Sequence, residues 1–101
     1  MEAPILIDLW TVEPDRRDEL VGRISEVMRN HLVGQPGFVS SEIYVSVDGG
    51  VVMSSVRMQT AEDRQHLMDS REAHNALRGL RSIARTHARL YRLVESFGEA
   101  H

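Results

Sequence analysis

Two β-type runs joined by a turn dominate the pattern of apolar and polar positions. Val and Ile alternate with Ser and Glu over residues 37–47, and a second β-rich run covers residues 51–60. Asp48-Gly49-Gly50 lies between them, and an Asp-Gly pair between two such runs is a strong signal for a β-hairpin. The period of two predicts that one face of the second strand carries Val52, Ser54, Val56 and Met58.

One strand and one helix are predicted before this hairpin. Residues 5–12 are β-branched and apolar, and one strand face carries Leu6, Asp8, Trp10 and Val12. Asp15 is the predicted N-cap of a helix whose apolar positions repeat at helical spacing as far as Leu32. Residues 34–37 (Gly-Gln-Pro-Gly) are expected to end that helix.

Two helical pieces and a strand are predicted after the hairpin. Thr60 is the expected N-cap of a short helix that ends near Asp69, and Ser70 is the expected N-cap of the next piece. A last strand is predicted over residues 89–95. The order of elements predicts an α+β fold, the ferredoxin-like split β-α-β arrangement with a four-stranded antiparallel sheet and its helices on one face.

The size of the chain and the bare sheet face favour a homodimer. One domain over residues 1–101 is expected, and a domain of this length buries only about 60–65% of its unfolded surface. The sheet face away from the helices would expose Val51 and Met53. Two copies packed sheet to sheet would cover this face in each copy and would add to the buried surface of a small domain.

Composition excludes several classes of chemistry. The chain has no cysteine and all twelve of its basic residues are arginine, which excludes disulfides, thiolate metal sites and Schiff-base lysines. The net charge is −3 and the arginines lack interleaved aromatic residues, so no nucleic-acid binding is expected. No apolar run of about 18 residues and no signal-type segment are present, so we expect no membrane span and a cytoplasmic protein.

Asp8 is the first candidate for chemistry. A carboxylate on an apolar strand face is costly unless it is paired, and burial would raise its pKa and suit it to act as a general base. The alternatives are an ion pair with Arg64 or Arg78, or a solvated position at the strand end.

A pocket for a flat aromatic guest is the second candidate feature. Its expected wall consists of Trp10, Val52, Ser54, Val56, Met58 and Met68, whose soft methionines adapt to an aromatic ring. His66 is a candidate acid or base and Arg64 a candidate partner for a phenolate. The alternatives are an ordinary hydrophobic core and solvated helix residues. A break at Asp69-Ser70 separates His66 from His74, so no metal site is predicted.

Several segments resemble the antibiotic biosynthesis monooxygenase family over nearly the whole chain. They are residues 9–14 (Leu-Trp-Thr-Val-Glu-Pro), 18–20 (Asp-Glu-Leu), 35–40 (Gln-Pro-Gly-Phe-Val-Ser), 47–49 (Val-Asp-Gly), the strand ending at Met58, and 90–91 (Leu-Tyr). The resemblance implies a dimeric α+β barrel with a pocket between sheet and helices in each subunit.

Members of that family include cofactor-independent oxygenases that convert polyketide anthrones into quinones with O₂, and others that cleave haem. The oxygenase branch usually carries Asn and, four residues on, Trp in the second hairpin strand, where this chain has Ser54 and Met58. The Asn, Trp and His set of the haem-degrading members is not reproduced.

The resemblance implies a cofactor-independent monooxygenase of antibiotic biosynthesis that acts on an aromatic polyketide and converts an anthrone or phenol to a quinone. Its expected catalytic residues are Asp8, His66 and Arg64, with Trp10, Val52, Ser54, Val56, Met58 and Met68 around the substrate. No cofactor and no metal are expected. Two alternatives stay open: a non-oxidative polyketide cyclase or isomerase, and a non-catalytic dimer that binds an aromatic ligand.

Overall fold

The computed structural model describes residues 4–98, which form one antiparallel sheet with helices on one face. The strands are β1 (Ile5–Thr11), β2 (Phe38–Val45), β3 (Val51–Met58) and β4 (Arg85–Tyr91), in the order β2-β3-β1-β4. The helices are α1 (Arg17–Val27), α2 (Ala61–Met68) and α3 (Arg71–Arg81). A 3-10 turn (Pro14–Arg16) precedes α1 and a π-helical turn (Met28–Leu32) follows it. This order and pairing confirm the predicted α+β, ferredoxin-like fold.

The β2–β3 hairpin closes through the predicted Asp-Gly-Gly turn. Ser46 N donates to Val51 O at 2.8 Å, and Gly49 N donates to Ser46 O at 2.8 Å. Asp48 Oδ1 accepts from Ser46 Oγ at 2.7 Å and from Gly50 N at 2.9 Å. Gly49 has a φ of 80°, a backbone conformation that favours glycine. The turn therefore depends on both the carboxylate and the glycine that predicted it.

Two of the three predicted N-caps are present. Thr60 Oγ1 accepts from Asp63 N at 3.0 Å, and Ser70 Oγ accepts from Ala73 N at 3.1 Å. The prediction for Asp15 is wrong, because this residue lies inside the 3-10 turn and α1 begins without a side-chain cap. Pro14 at the first position of the turn fixes φ and starts the helical geometry earlier than the carboxylate signal indicated.

Two clusters of buried side chains hold the helices on the sheet. The first core cluster contains Trp10, Leu20, Ile24, Val52, Leu80 and Ala84. The second core cluster contains Leu32, Met58 and Leu67, with Phe38 and Val56 packed against it. Met28 contacts both clusters. The helices are therefore attached at two points along the sheet, and the space between these points is where a cavity forms.

The last strand differs from its prediction. It spans Arg85–Tyr91 rather than residues 89–95. Within it only Thr86 is partly buried, so the strand shows almost no alternation of burial along its length. Its position is determined by antiparallel pairing with β1, from Ile5 opposite Tyr91 to Thr11 opposite Arg85. The bounds of β4 therefore depend on a distant strand, and the order of apolar and polar residues within β4 does not indicate them.

A β-bulge corrects the predicted faces of β2. The pairing with β3 shifts between Phe38 and Ser40, so Val39 is an extra residue in the strand. Phe38 therefore lies opposite Met58 and packs on the second core cluster, on the same side as Ile43. Strict period-two alternation along this strand predicts that Phe38 and Ile43 lie on opposite faces, and the bulge makes that prediction wrong.

The sheet face away from the helices is open among residues 4–98. Apolar side chains of all four strands lie on it: Ile5, Ile7, Leu9, Tyr44, Val51, Met53 and Tyr91. Leu9 is 39% exposed and Tyr44 is 48% exposed. The predicted bare face is therefore present in the described part of the chain.

Candidate functional site

A cavity of about 200 Å³ lies between the sheet and the three helices. Its floor consists of side chains from the three adjacent strands β3, β1 and β4: Leu6, Asp8, Trp10, Ser54, Val56 and Ala88. The strand pairing explains this grouping. Asp8 lies opposite Ser54 on one side and Ala88 on the other, and Leu6 lies opposite Val56. Paired residues of neighbouring strands share a sheet face, so a carboxylate and a hydroxyl meet at the centre of the floor.

The roof of the cavity is mostly apolar and comes from all three helices. Ile24 and Val27 belong to α1, Met28, His31 and Leu32 to the π-helical turn, Arg64, Leu67 and Met68 to α2, and Ala73, His74, Leu77, Leu80 and Arg81 to α3. His31 adds a polar group to this wall between Met28 and Leu32. The cavity thus combines a large apolar surface with a few polar groups, as small-molecule sites do.

The size of the cavity is suited to an aromatic molecule. An apolar cavity of about 150 Å³ in another protein accommodates benzene, and this cavity is somewhat larger. It lies between the first and second core clusters, and both contribute to its wall: Trp10, Ile24 and Leu80 come from the first, Leu32 and Leu67 from the second.

Asp8 is half-buried on the cavity floor. Thr86 Oγ1 donates to Asp8 Oδ1 at 2.6 Å. Burial raises the pKa of Asp8, while the hydrogen bond from Thr86 and the positive charge of Arg81 lower it; burial is the largest of these effects and the pKa lies above its ordinary value. Asp8 takes part in no ion pair within 4.0 Å among the described residues, so the alternative of a bridge to Arg64 or Arg78 is not observed.

Trp10 and Ser54 form a buried hydrogen bond beside Asp8. Trp10 Nε1 donates to Ser54 Oγ at 3.0 Å, and the two residues are 2% and 5% exposed. The bond occupies one lone pair of the hydroxyl and leaves the Ser54 proton unused within residues 4–98. Ser54 can therefore donate that proton to a polar atom of a molecule in the cavity.

Arg64 carries a positive charge on the α2 wall of the cavity. Its Nε atom is enclosed and has no hydrogen-bond partner in the described part of the chain. No carboxylate of residues 4–98 forms an ion pair with its guanidinium. An arginine in this position is costly unless another group compensates it.

The structure brings together many of the residues predicted from the sequence and leaves three apart. Asp8, Trp10, Ser54, Val56, Arg64 and Met68 line the cavity. Val52 and Met58 face the helices as predicted, but they belong to the first and second core clusters and do not line the cavity. His66 is exposed and does not line it either, because Leu67, the next residue of α2, points inward.

Several lining residues were missed. His31 follows the helical spacing of Ile24, Val27 and Met28, so the predicted periodicity could have found it, whereas Gln35 lies in the segment that was expected only to end the helix. His74 and Arg81 follow the helical spacing of Leu77, so the same periodicity that predicted the apolar stripe could have found them.

Across residues 4–98, no three His, Cys, Asp or Glu side chains are grouped closely enough to hold a metal ion. In the same range, no helix is both long and apolar enough to cross a membrane.

The fold is shared with several solved structures. SnoaB, a cofactor-independent oxygenase from Streptomyces nogalater, is 14% identical with a TM-score of 0.77, over 98% of this chain and 100% of that one. A presumed antibiotic biosynthesis monooxygenase from Deinococcus radiodurans is 8% identical with a TM-score of 0.80, over 97% of this chain and 99% of that one. Rv0793 from Mycobacterium tuberculosis is 15% identical with a TM-score of 0.76, over 95% and 100% of the two chains.

No protein-family profile and no curated protein sequence matches the chain. At 8–15% identity the structural likeness establishes the fold of these proteins and no more. The expected resemblance to the antibiotic biosynthesis monooxygenase fold is confirmed at that level.

Proposed function

We propose that this chain is a cofactor-independent monooxygenase that converts a small aromatic anthrone or phenol to a quinone, as a step of antibiotic biosynthesis. The observation that carries the proposal is Asp8, a half-buried carboxylate with a raised pKa on the floor of an apolar cavity. A cofactor-independent oxygenase with the same fold supports the reaction class.

The proposed reaction begins with proton transfer to Asp8. Removal of a proton from the substrate leaves a phenolate or carbanion that reacts directly with O₂. For an anthrone, the ring CH₂ group and O₂ become a C=O group and one molecule of water, so the substrate supplies all the electrons. A carboxylate with a raised pKa is a better base for this step than an ordinary one, because its conjugate acid forms nearer neutral pH.

Ser54 and Trp10 would position the substrate. Since Trp10 fixes the orientation of the Ser54 hydroxyl, the free Ser54 proton can donate to the substrate oxygen on which negative charge develops. The apolar roof would exclude water from the carbanion, which protects it from reprotonation before O₂ arrives.

Oxygen uptake with an anthrone tests the assignment. We expect the wild-type protein to consume O₂ above the uncatalysed rate, and Asp8→Asn to lower the protein-dependent rate by about 10²-fold or more, because the base is lost while the shape is kept. Asp18→Asn is the matched control, since Asp18 is an exposed carboxylate on α1. Equal rates for the wild type and Asp8→Asn would remove Asp8 from the mechanism.

A non-oxidative cyclase or isomerase is the second candidate. It is favoured by Ser54 and Met58, which stand where the oxygenase branch of the resembled family carries Asn and Trp. Met58 is also buried in the second core cluster rather than at the cavity. Turnover that persists under strict exclusion of O₂ would select this alternative. Saturable quenching of Trp10 fluorescence without any turnover would instead indicate a non-catalytic binding protein.

We also propose that two copies of the chain associate through the open sheet face. Leu9 and Met53 lie side by side in the middle of this face, with Tyr44 beyond Met53. Their exposed apolar surface is most simply covered by the same surface of a second copy. Light scattering should give a dimer mass for the wild type and a monomer mass for Met53→Asp. Val47→Asp, in the exposed hairpin turn, should remain dimeric.

A further inference from the structure

We infer that the cavity selects aromatic ligands that carry a carboxylate, and that Arg64 is the residue that binds it. This inference rests on the proposed function, because it names the substrate class of the same site. The argument starts from the position of Arg64, whose side chain lines the cavity from α2.

The charges around the cavity leave Arg64 without compensation. Asp8 and Glu72 are the lining carboxylates, Arg64 and Arg81 are the lining arginines, and His31 and His74 are the lining histidines. The charge of Arg81 acts on Asp8. No carboxylate of residues 4–98 lies within 4.0 Å of the Arg64 guanidinium.

Two acidic residues close to Arg64 in sequence have other partners. Asp63 Oδ2 accepts from Thr60 Oγ1 at 2.9 Å, and the Asp63 backbone N–H donates to the same hydroxyl. Asp69 Oδ1 accepts from Gln65 Nε2 at 2.9 Å. The carboxylates of Asp63 and Asp69 are therefore used in capping and in a helix-surface contact.

Burial makes this charge a binding group rather than a solvated surface residue. The Nε atom is enclosed without a hydrogen-bond partner in the described chain, so the guanidinium has already lost part of its hydration. A ligand that supplies one carboxylate oxygen to Nε and the other to a terminal nitrogen would restore the lost interaction, since the planar guanidinium matches a carboxylate in a bidentate arrangement.

The surroundings of Arg64 define the rest of the ligand. Leu67 and Met68 follow it on α2, and Val56 lies on the floor of the same cavity. These side chains offer an apolar surface for a ring, so the expected ligand has a flat aromatic body with the carboxylate at the α2 wall and its reacting carbon above Asp8. A ligand of similar shape with a neutral group would lose the contact with Arg64 and keep the apolar one.

Calorimetric titration with two matched probes tests the inference. The probes are 2-naphthoate and 2-naphthalenemethanol, which share the rings and differ in charge. At pH 7.5 we expect the wild type to bind the acid at least about tenfold more tightly than the alcohol, the factor that one charge-assisted hydrogen bond supplies. Arg64→Met should abolish this difference and leave the affinity for the alcohol unchanged, whereas Arg64→Lys should keep part of it.

Two further variants make the test specific. Arg71→Met is the matched control, because Arg71 is an exposed arginine at the start of α3 that does not line the cavity, and it should keep the wild-type preference. The melting temperature of Arg64→Met should equal or exceed that of the wild type, because an uncompensated charge is replaced by an apolar chain of similar length. Arg64→Gln serves the same purpose should the methionine variant fold poorly.

The outcomes separate this inference from the proposed reaction. An acid preference that survives in Arg64→Met, or a wild type that binds both probes equally or neither, would overturn it. A clear preference that depends on Arg64 supports it even when no O₂ is consumed, since binding of the probes does not require turnover.

Discussion

The two faces of the same sheet behave as two different environments, and β3 shows this most clearly. Val52, Ser54 and Met58 are 0%, 5% and 2% exposed under the helices. Met53 and Ser55, at the alternate positions of the same strand, are only partly buried on the open face. The covered face obtains its partners from within the chain, while the open face has none among residues 4–98. The first therefore determines the fold and the cavity, and the second is the surface on which we propose that two copies associate.

The largest expected effect comes from placing a charge on each face in turn. Val52→Asp puts an unpaired carboxylate in the first core cluster and should lower the free energy of unfolding by at least about 3 kcal/mol. Met53→Asp, one residue away on the open face, should leave the fold of the single chain intact and lose only the smaller contribution that association of two copies adds. Urea titration followed by circular dichroism measures both. A comparable loss in the two variants would mean that the open face also belongs to the folding core.

A smaller effect is expected from the two adjacent serines. Ser54→Ala leaves the buried Trp10 Nε1 without its acceptor, which should cost about 1–3 kcal/mol of stability. Ser55→Ala changes a side chain on the open face and should alter stability by less than about 0.5 kcal/mol. Thermal unfolding of both variants checks the difference. If Ser54→Ala were neutral, the Trp10 hydrogen bond would contribute nothing to the covered face.

The smallest effect concerns the pH dependence of stability. Because burial raises the pKa of Asp8 in the folded chain, its contribution to stability is fully present below the unfolded value of about 3.9 and is lost as the pH rises through the folded value. Asp8→Asn should therefore gain stability relative to the wild type as the pH rises from about 4 to 7. Urea titrations at several pH values measure this, and Asp18→Asn, on the solvated side of α1, should show no such gain.

Local chemistry predicted the parts of the fold that depend on neighbouring residues. The Asp48-Gly49 turn and the caps at Thr60 and Ser70 each form within a few residues, so their signals are contained in short segments. The face of Phe38 and the position of β4 were not predictable in this way. A bulge and a pairing with a strand more than 70 residues earlier determine them.

The same distinction applies to the candidate site. Period-two alternation predicted the floor, because Asp8 and Ser54 must share a face once β1 and β3 pair. It could not predict the roof, since the distance of each helix from the sheet depends on how both core clusters pack. Val52 and Met58 show this, because they have the predicted orientation but lie under the helices rather than at the cavity.

The bulge at Val39 also has a consequence for how the sheet can grow. Strand β2 is one of the two edges of the sheet, and an edge strand is a template on which foreign strands can add and fibrils can start. An extra residue interrupts the regular ladder of backbone groups along that edge, and the exposed Glu42 adds a charge to it. On the opposite edge, β4 carries Arg85 and Arg89. Extension of the sheet by added strands is thereby discouraged at both margins.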